Sequence, residues 1–299
     1  MTTSPIAGVT AATTVDGALV QALPGLQGAG WSVHSVHRQV VNLLGPGDYL
    51  CCLATEELDD APRTVRVAWP HRAGLSAGHP VRVTGTTIDL GDRLIELAAA
   101  ARWFPQPADL GALPADALQR AAALLDPGPD PHPTSPFERA STGLVRSGTA
   151  ALAEAVRAGD HGRLATAAVR LVGLGAGLTP TGDDILTGLA VLLAQPGMLL
   201  SPLLLPLREA IGGAARRTTA VSAATLTEAL AGRARQRIHD LIRAFPAGRP
   251  EEISAAAAHV RRIGHSSGAD LLTGLRLGLL LEAEARRCPR APSMREEWT

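Results

Sequence analysis

Two stretches of the chain carry the same chemistry in the same order. Thr181-Gly182-Asp183-Asp184-Ile185-Leu186-Thr187-Gly188-Leu189 aligns with Ser267-Gly268-Ala269-Asp270-Leu271-Leu272-Thr273-Gly274-Leu275. A hydroxyl, a glycine, a carboxylate, an apolar pair, a threonine, a glycine and a leucine recur. Each copy follows a loop of small residues and opens an apolar run of helical character. A helix start presents N–H groups and the positive end of a dipole, which suits an anion. The first loop, Gly173-Leu174-Gly175-Ala176-Gly177-Leu178-Thr179-Pro180, has glycines that let backbone approach a ligand, and hydroxyls beside them. It is not the dinucleotide fingerprint, which needs glycine where Leu178 stands. The second loop contributes His265 among hydroxyls. A third segment, Arg216-Arg217-Thr218-Thr219-Ala220-Val221-Ser222, joins two guanidiniums to hydroxyls, a combination suited to phosphate or carboxylate.

The residues expected to bind a small anion are therefore Gly175, Gly177, Thr179, Thr181, Gly182, Arg216, Arg217, Thr218, Thr219, Ser222, Ser266, Ser267 and Gly268. His265, Asp184 and Asp270 are the catalytic candidates, the histidine to donate to a developing oxyanion or carry a proton. Asp183, Asp184 and Asp270 are also candidate ligands of Mg²⁺, a hard cation that takes carboxylate oxygens; no other cofactor is suggested. Plainer roles compete with each reading. Asp183 or Asp184 could cap the following helix. The arginines could close a helix C-terminus, with Ser222 as the next cap. His265 could be structural.

The elements that must position these groups are two helices. Gly188 and Gly274 each lie one turn past an aspartate. A glycine inside a helix costs about 1 kcal/mol against alanine, so it usually has a packing reason. We expect the two helices to cross at these glycines, setting the two loops side by side with pseudo-two-fold symmetry.

The surroundings of these helices read as an α+β chain: a β-rich barrel or sandwich-like domain, then a mostly α-helical domain. Alternating stretches at 65–69 and 81–86, with further strands at 33–44 and 49–54, make the first. Residues 94–104 fit a strand or a helix start. The expected division is a disordered N-terminus at 1–14, a β-rich domain with a short closing helix at 15–125, a linker at 126–136, a helical domain carrying the site at 137–287, and a frayed tail at 288–299. The linker rests on five prolines in eleven residues. Helices are expected at 141–158, 162–173, 184–194, 203–219, 222–245, 251–262 and 270–287.

Composition narrows the function. The chain has 299 residues and zero formal net charge, which argues against nucleic acid as a partner. All 28 basic residues are arginine. A Walker-type phosphate loop and a Schiff-base lysine are excluded. Three cysteines, Cys51, Cys52 and Cys288, form no zinc spacing or disulfide framework. They fit a reducing cytoplasm, and the start of the chain does not read as a signal peptide. The uncharged stretch 185–207 is long enough to span a bilayer, but Pro196, Pro202 and Pro206 interrupt it. It reads as a buried helix and a turn, so no membrane partner is expected.

The glycine loop at 173–184, Thr218-Thr219-Ala220-Val221-Ser222 and Gly264-His265-Ser266-Ser267-Gly268-Ala269-Asp270 together resemble a family that includes the AllH-type subunit of oxamate carbamoyltransferase, from anaerobic allantoin breakdown, a branch of purine degradation. The motif order covers about 170–282. The resemblance implies transfer of a carbamoyl group between carbamoyl phosphate and the amide nitrogen of oxamate, giving oxalurate and phosphate. It also implies partner subunits in a hetero-oligomeric enzyme. Two rival readings come from other classes. One is a Mg²⁺-dependent small-molecule phosphotransferase using the paired aspartates. The other is a non-catalytic assembly subunit in which the repeated loops serve only as caps and helix contacts.

Overall fold

The computed structural model describes residues 8–68, 74–128 and 136–288. It divides into two compact units. One holds the chain up to Gln106 together with Ala234–Gln236; the other holds Pro107–Arg233 and the chain from Arg237 onward.

The first unit is a barrel. Its strands are β1 (Val9–Asp16), β2 (Gly28–Val36), β3 (Val40–Leu44), β4 (Leu50–Thr55), β5 (Thr64–Val67), β6 (Pro80–Val83), β7 (Thr87–Asp89), β8 (Leu94–Glu96) and β9 (Ala101–Trp103), with a short helix, α1 (Gly17–Ala22), after β1. Eight strands follow the order β5-β4-β3-β2-β6-β7-β8-β1, and β1 pairs back onto β5, which closes the ring. Beyond β8, the second half of β1 pairs in parallel with β9 (Thr14 beside Ala101). Period-two alternation fills the interior with Trp31, Val33, Val41, Leu43, Val65, Val67, Val81, Val83, Ile88 and Ile95. Asn42 breaks that pattern. It is buried between two core residues of β3, and its amide donates to Ser35 Oγ (2.9 Å) while the Cys52 thiol donates to its carbonyl (2.9 Å). These three residues sit opposite one another across β2, β3 and β4, so the polar groups satisfy each other. Residues 234–236 belong to this unit because Trp103 Nε1 donates to Gln236 Oε1 (2.7 Å) and Gln236 N–H to the Asp60 carbonyl (2.8 Å).

One expectation is corrected here, and one open alternative is resolved in favour of the strand. Residues 9–14 are not disordered: they form β1, which pairs with β5, β8 and β9. Residues 94–104 hold two short strands and no helix. Residues 1–7, and all of the expected tail except Cys288, lie outside the described residues.

The second unit contains α2 (Ala115–Leu124), α3 (Pro136–Ala158), α4 (His161–Leu171), α5 (Thr181–Leu193), α6 (Leu204–Ala214), α7 (Ala220–Leu230), α8 (Gln236–Ala244, all but its first residue), α9 (Pro250–Arg261) and α10 (Ser267–Arg287). The expected closing helix of the β-rich domain is α2, and it packs against α10 and α9. The division therefore falls at 106/107, ahead of the proline-rich stretch, part of which lies outside the described residues. The single helix expected at 222–245 is two, because Gly232 adopts a left-handed backbone (φ +75°) that ends α7. The expected helix at 203–219 stops at Ala214 and passes into a 3₁₀ turn, Ala215–Arg217.

α5 is the axis of this unit. Every residue from Gly182 to Leu193 is buried, with α10, α7 and α4 packed around it. A helix enclosed on all sides is apolar on all sides, which accounts for the uncharged run. No helix among the described residues is long and apolar enough to cross a membrane. At the far end of α10, Glu282 is fully buried. It pairs with Arg286 (2.9 Å) and accepts the N–H groups of Leu199 and Leu200 (2.8 and 3.0 Å). Arg286 in turn donates to the carbonyls of Leu110 (3.1 Å) and Gly197 (2.9 Å).

Candidate functional site

The duplicated segments are two helix–loop–helix units, α4–α5 and α9–α10, and their glycines explain the repetition. A Cβ on Gly188 would stand 2.2 Å from the Leu271 carbonyl oxygen and 3.0 Å from the Leu275 nitrogen. A Cβ on Gly274 would stand 2.0 Å from the Ile185 oxygen and 2.9 Å from the Leu189 nitrogen. In the repeat alignment Ile185 corresponds to Leu271 and Leu189 to Leu275, so the contact is reciprocal and obeys a local two-fold. α5 and α10 cross at these two glycines, backbone against backbone. Gly278, a turn further on, meets Leu192 and Leu189 along the same seam. The preceding glycines are equivalent too. Gly182 packs on the Leu171 carbonyl at the end of α4, and Gly268 on the Val260 and Arg261 carbonyls at the end of α9.

The crossing brings the loops together. The hydroxyls of Thr179 and Ser267 are hydrogen-bonded at 2.7 Å, joining the first loop to the start of α10. The third segment packs on the first loop. Thr219 donates to the Leu178 carbonyl (2.7 Å), and Thr218 donates to an Asp183 oxygen. Gly173, with a left-handed backbone (φ +73°), lies so close to Arg217 that a Cβ would fall 2.1 Å from its carbonyl oxygen. Residues 173–181, 215–222 and 264–268 therefore form one cluster.

Within the cluster the carboxylates differ sharply. Asp183 is 1% exposed and accepts the Gly173 N–H at 2.8 Å as well as the Thr218 hydroxyl. Asp184 is 4% exposed. Its Oδ2 is shielded from solvent and has no hydrogen-bond partner among the described residues. Burial pushes its carboxyl up to about 8, opposed by hydrogen bonding with Ser267 and Thr179 and assisted by the negative charges of Asp270 and Asp183. Asp184 is thus a mostly neutral acid near pH 7, set behind the Thr179 and Ser267 hydroxyls. Asp270, its counterpart on α10, is half-buried.

Several expectations change with this geometry. Neither Asp183 nor Asp184 caps α5; Pro180 occupies the cap position, without a side-chain hydrogen bond. Asp183 faces Gly173 and Thr218. Among the described residues no group of three or more His, Cys, Asp or Glu side chains is arranged to hold a metal ion. Asp183, Asp184 and Asp270 are not gathered into such a group. The N–H groups of Gly182 and Gly268 donate to Leu174 and Ile263 (both 2.9 Å), which makes these glycines packing residues and not anion donors. Thr219 caps α7 by accepting the Ser222 N–H (3.0 Å), so Ser222, buried in the first turn, is the residue capped. Thr218 and Thr219 hydroxyls serve the loop contacts already described.

The remaining candidates stay open to a ligand. Arg216 and Arg217 are exposed and pair with no carboxylate among the described residues. His265 and Gly177 are exposed, and Gly175, Thr181 and Ser266 are half-buried. Gly173 was not among the candidate ligand residues. Its left-handed backbone and contact with Arg217 are visible only once the third segment is in place.

The fold and the cluster define a class: a barrel unit joined to a helical unit, the latter built on a duplicated helix–loop–helix whose loops meet at a crossing of two glycine-bearing helices. The chain belongs to the AllH family. The family described as oxamate carbamoyltransferase subunit AllH matches residues 171–279, and the AllH family N-terminal domain matches residues 11–102. The first match runs from the end of α4 into α10 and so spans all three loops; the second spans the barrel. No solved structure matches the chain significantly.

Proposed function

We propose that this chain is a carbamoyltransferase subunit whose loop cluster binds the anionic reactants, carbamoyl phosphate and a small amide acid such as oxamate. The observation that carries the reading is the meeting of three loops around the Thr179–Ser267 contact, with two guanidiniums on the third, Arg216 and Arg217, that pair with no carboxylate among the described residues. With lysine absent, arginine is the side chain available to hold phosphate at neutral pH. The starts of α5 and α10 add the positive ends of two dipoles.

In this reading the amide nitrogen of oxamate attacks the carbamoyl carbon. The bond from that carbon to the phosphate oxygen breaks, phosphate leaves with the electron pair, and the amide proton passes to a base. Arg216 and Arg217 neutralise the phosphate, which lowers the cost of its departure. His265, exposed on the second loop, carries the proton. The neutral Asp184 adds no negative charge where the anion docks.

The test is oxamate-dependent release of phosphate from carbamoyl phosphate, measured on the full chain alone and together with its partner subunits. Replacing both Arg216 and Arg217 with alanine should raise KM for carbamoyl phosphate roughly tenfold or more, the effect of losing charge-assisted hydrogen bonds. Phosphate release indifferent to both arginines would contradict the proposal. An assembled complex that works equally well with this chain's loops altered would favour a purely structural subunit.

A further inference from the structure

We infer that Asp183 is the positioning residue that fixes the two-arginine turn on the glycine loop and thereby sets the affinity for the anionic reactant; this rests on the anion-binding reading above. The motif repeats hold the clue. Asp184 has a counterpart in Asp270, but Asp183 aligns with Ala269. The arginine turn, 215–219, packs on the loop that follows α4, whereas α9 and α10 are joined by the short loop 262–266. The extra carboxylate and the extra segment occur together, and they touch.

The geometry is specific. Asp183 has one oxygen on the Gly173 N–H at 2.8 Å and the other on the Thr218 hydroxyl. Gly173 begins the glycine loop, and Thr218 follows Arg216 and Arg217 directly. The absence of a side chain at Gly173 lets its backbone lie against the Arg217 carbonyl. A single buried side chain, anchored in the first turn of α5, thus holds the ends of two segments that bear the proposed anion ligands. Charge-assisted hydrogen bonds to a carboxylate are stronger and more directional than those to a neutral group. Asp183 touches no reacting atom in this arrangement. It acts through the placement of the turn.

Binding of inorganic phosphate to the full chain, followed by calorimetry well below every variant's unfolding transition, tests this. Asp183→Ala should raise the phosphate Kd about tenfold, the loss of one well-placed charged contact. Thr218→Val, which removes the donor on the other side, should do the same and decides the matter if Asp183→Ala does not fold. Asp183→Asn keeps an acceptor for the Gly173 N–H but loses the charge and the second acceptor, so its phosphate Kd should fall between wild type and Asp183→Ala. The double variant Arg216→Ala/Arg217→Ala should weaken binding at least as much as Asp183→Ala. Wild-type affinity in Asp183→Ala and Thr218→Val, alongside loss in the arginine variant, would overturn this inference and leave the proposed function standing. Equal weakening in Asp183→Asn and Asp183→Ala, matching their loss of thermal stability, would also overturn it, because a merely structural carboxylate behaves that way. Unchanged binding in the arginine variant would overturn the anion reading itself.

Discussion

Asp184 carries a consequence for stability that is readable by titration. Its ordinary value is 3.8, and burial raises it to about 8 in the folded chain. The folded state therefore holds the proton more tightly than the unfolded state. Stability from this group is fully present below about pH 4, declines as pH rises, and is lost once pH passes about 8. Urea unfolding at pH 5, 7 and 9 should show wild type weakening relative to Asp184→Asn, whose amide does not titrate. Parallel profiles would contradict the assignment. The cysteines give a second expectation. Burial pushes the Cys52 thiol up to about 11 and Cys51 higher still, while Cys288 is exposed. A thiol reagent at pH 8 should modify one cysteine quickly in the native chain and all three only on unfolding; a Cys288→Ser variant that still reacts quickly would refute this. At this scale the sequence was only partly informative. The duplicated motif singles out Asp183, Asp184 and Asp270 together, yet their different tasks depend on Gly173, Thr179 and Thr218, which lie outside it, and on Ser267, in the second copy.

The crossing of α5 and α10 is the element on which the loops depend. Gly188→Ala and Gly274→Ala each place a methyl group about 2 Å from a carbonyl oxygen of the facing helix. Each should cost about 2–3 kcal/mol in chemical denaturation, the usual scale of overpacking. Gly212→Ala, on the exposed side of α6 with open space for a Cβ, should be neutral or stabilise by up to about 1 kcal/mol. Equal effects at all three sites would show that the helices do not touch at the glycines. Glu282→Gln should also cost about 3 kcal/mol, since it leaves Arg286 without its buried counter-charge and weakens the clamp on the 199–200 turn. The glycine crossing was legible in sequence because a helix tolerates glycine only for a reason, and two at equivalent places share one. β1 was not legible. Its small residues, Val9-Thr10-Ala11-Ala12-Thr13-Thr14, become a strand only through pairing with β5, β8 and β9, all distant in sequence. The break between α7 and α8 is hidden in the sequence because residues compatible with a helix continue on both sides of Gly232.

At the scale of the molecule, composition and pattern sufficed for a β-rich unit followed by a helical one, and the barrel and helical bundle agree with them. The boundary was harder to place. Prolines at 127–136 suggest a linker, but α2 packs on α10 and α9 through contacts that no local pattern encodes. Membership of the AllH family assigns the two family segments to the barrel and to the three-loop region. The same region holds the duplicated motif, the exposed arginines and His265, so the functional reading and the family description converge on one part of the chain. The most direct measurement is a crystal structure of the full chain grown with carbamoyl phosphate or inorganic phosphate. The account predicts anion density among the 173–181, 215–219 and 264–268 loops, within hydrogen-bond reach of Arg216 or Arg217. Phosphate bound elsewhere, with those loops empty at saturating concentration, would contradict it.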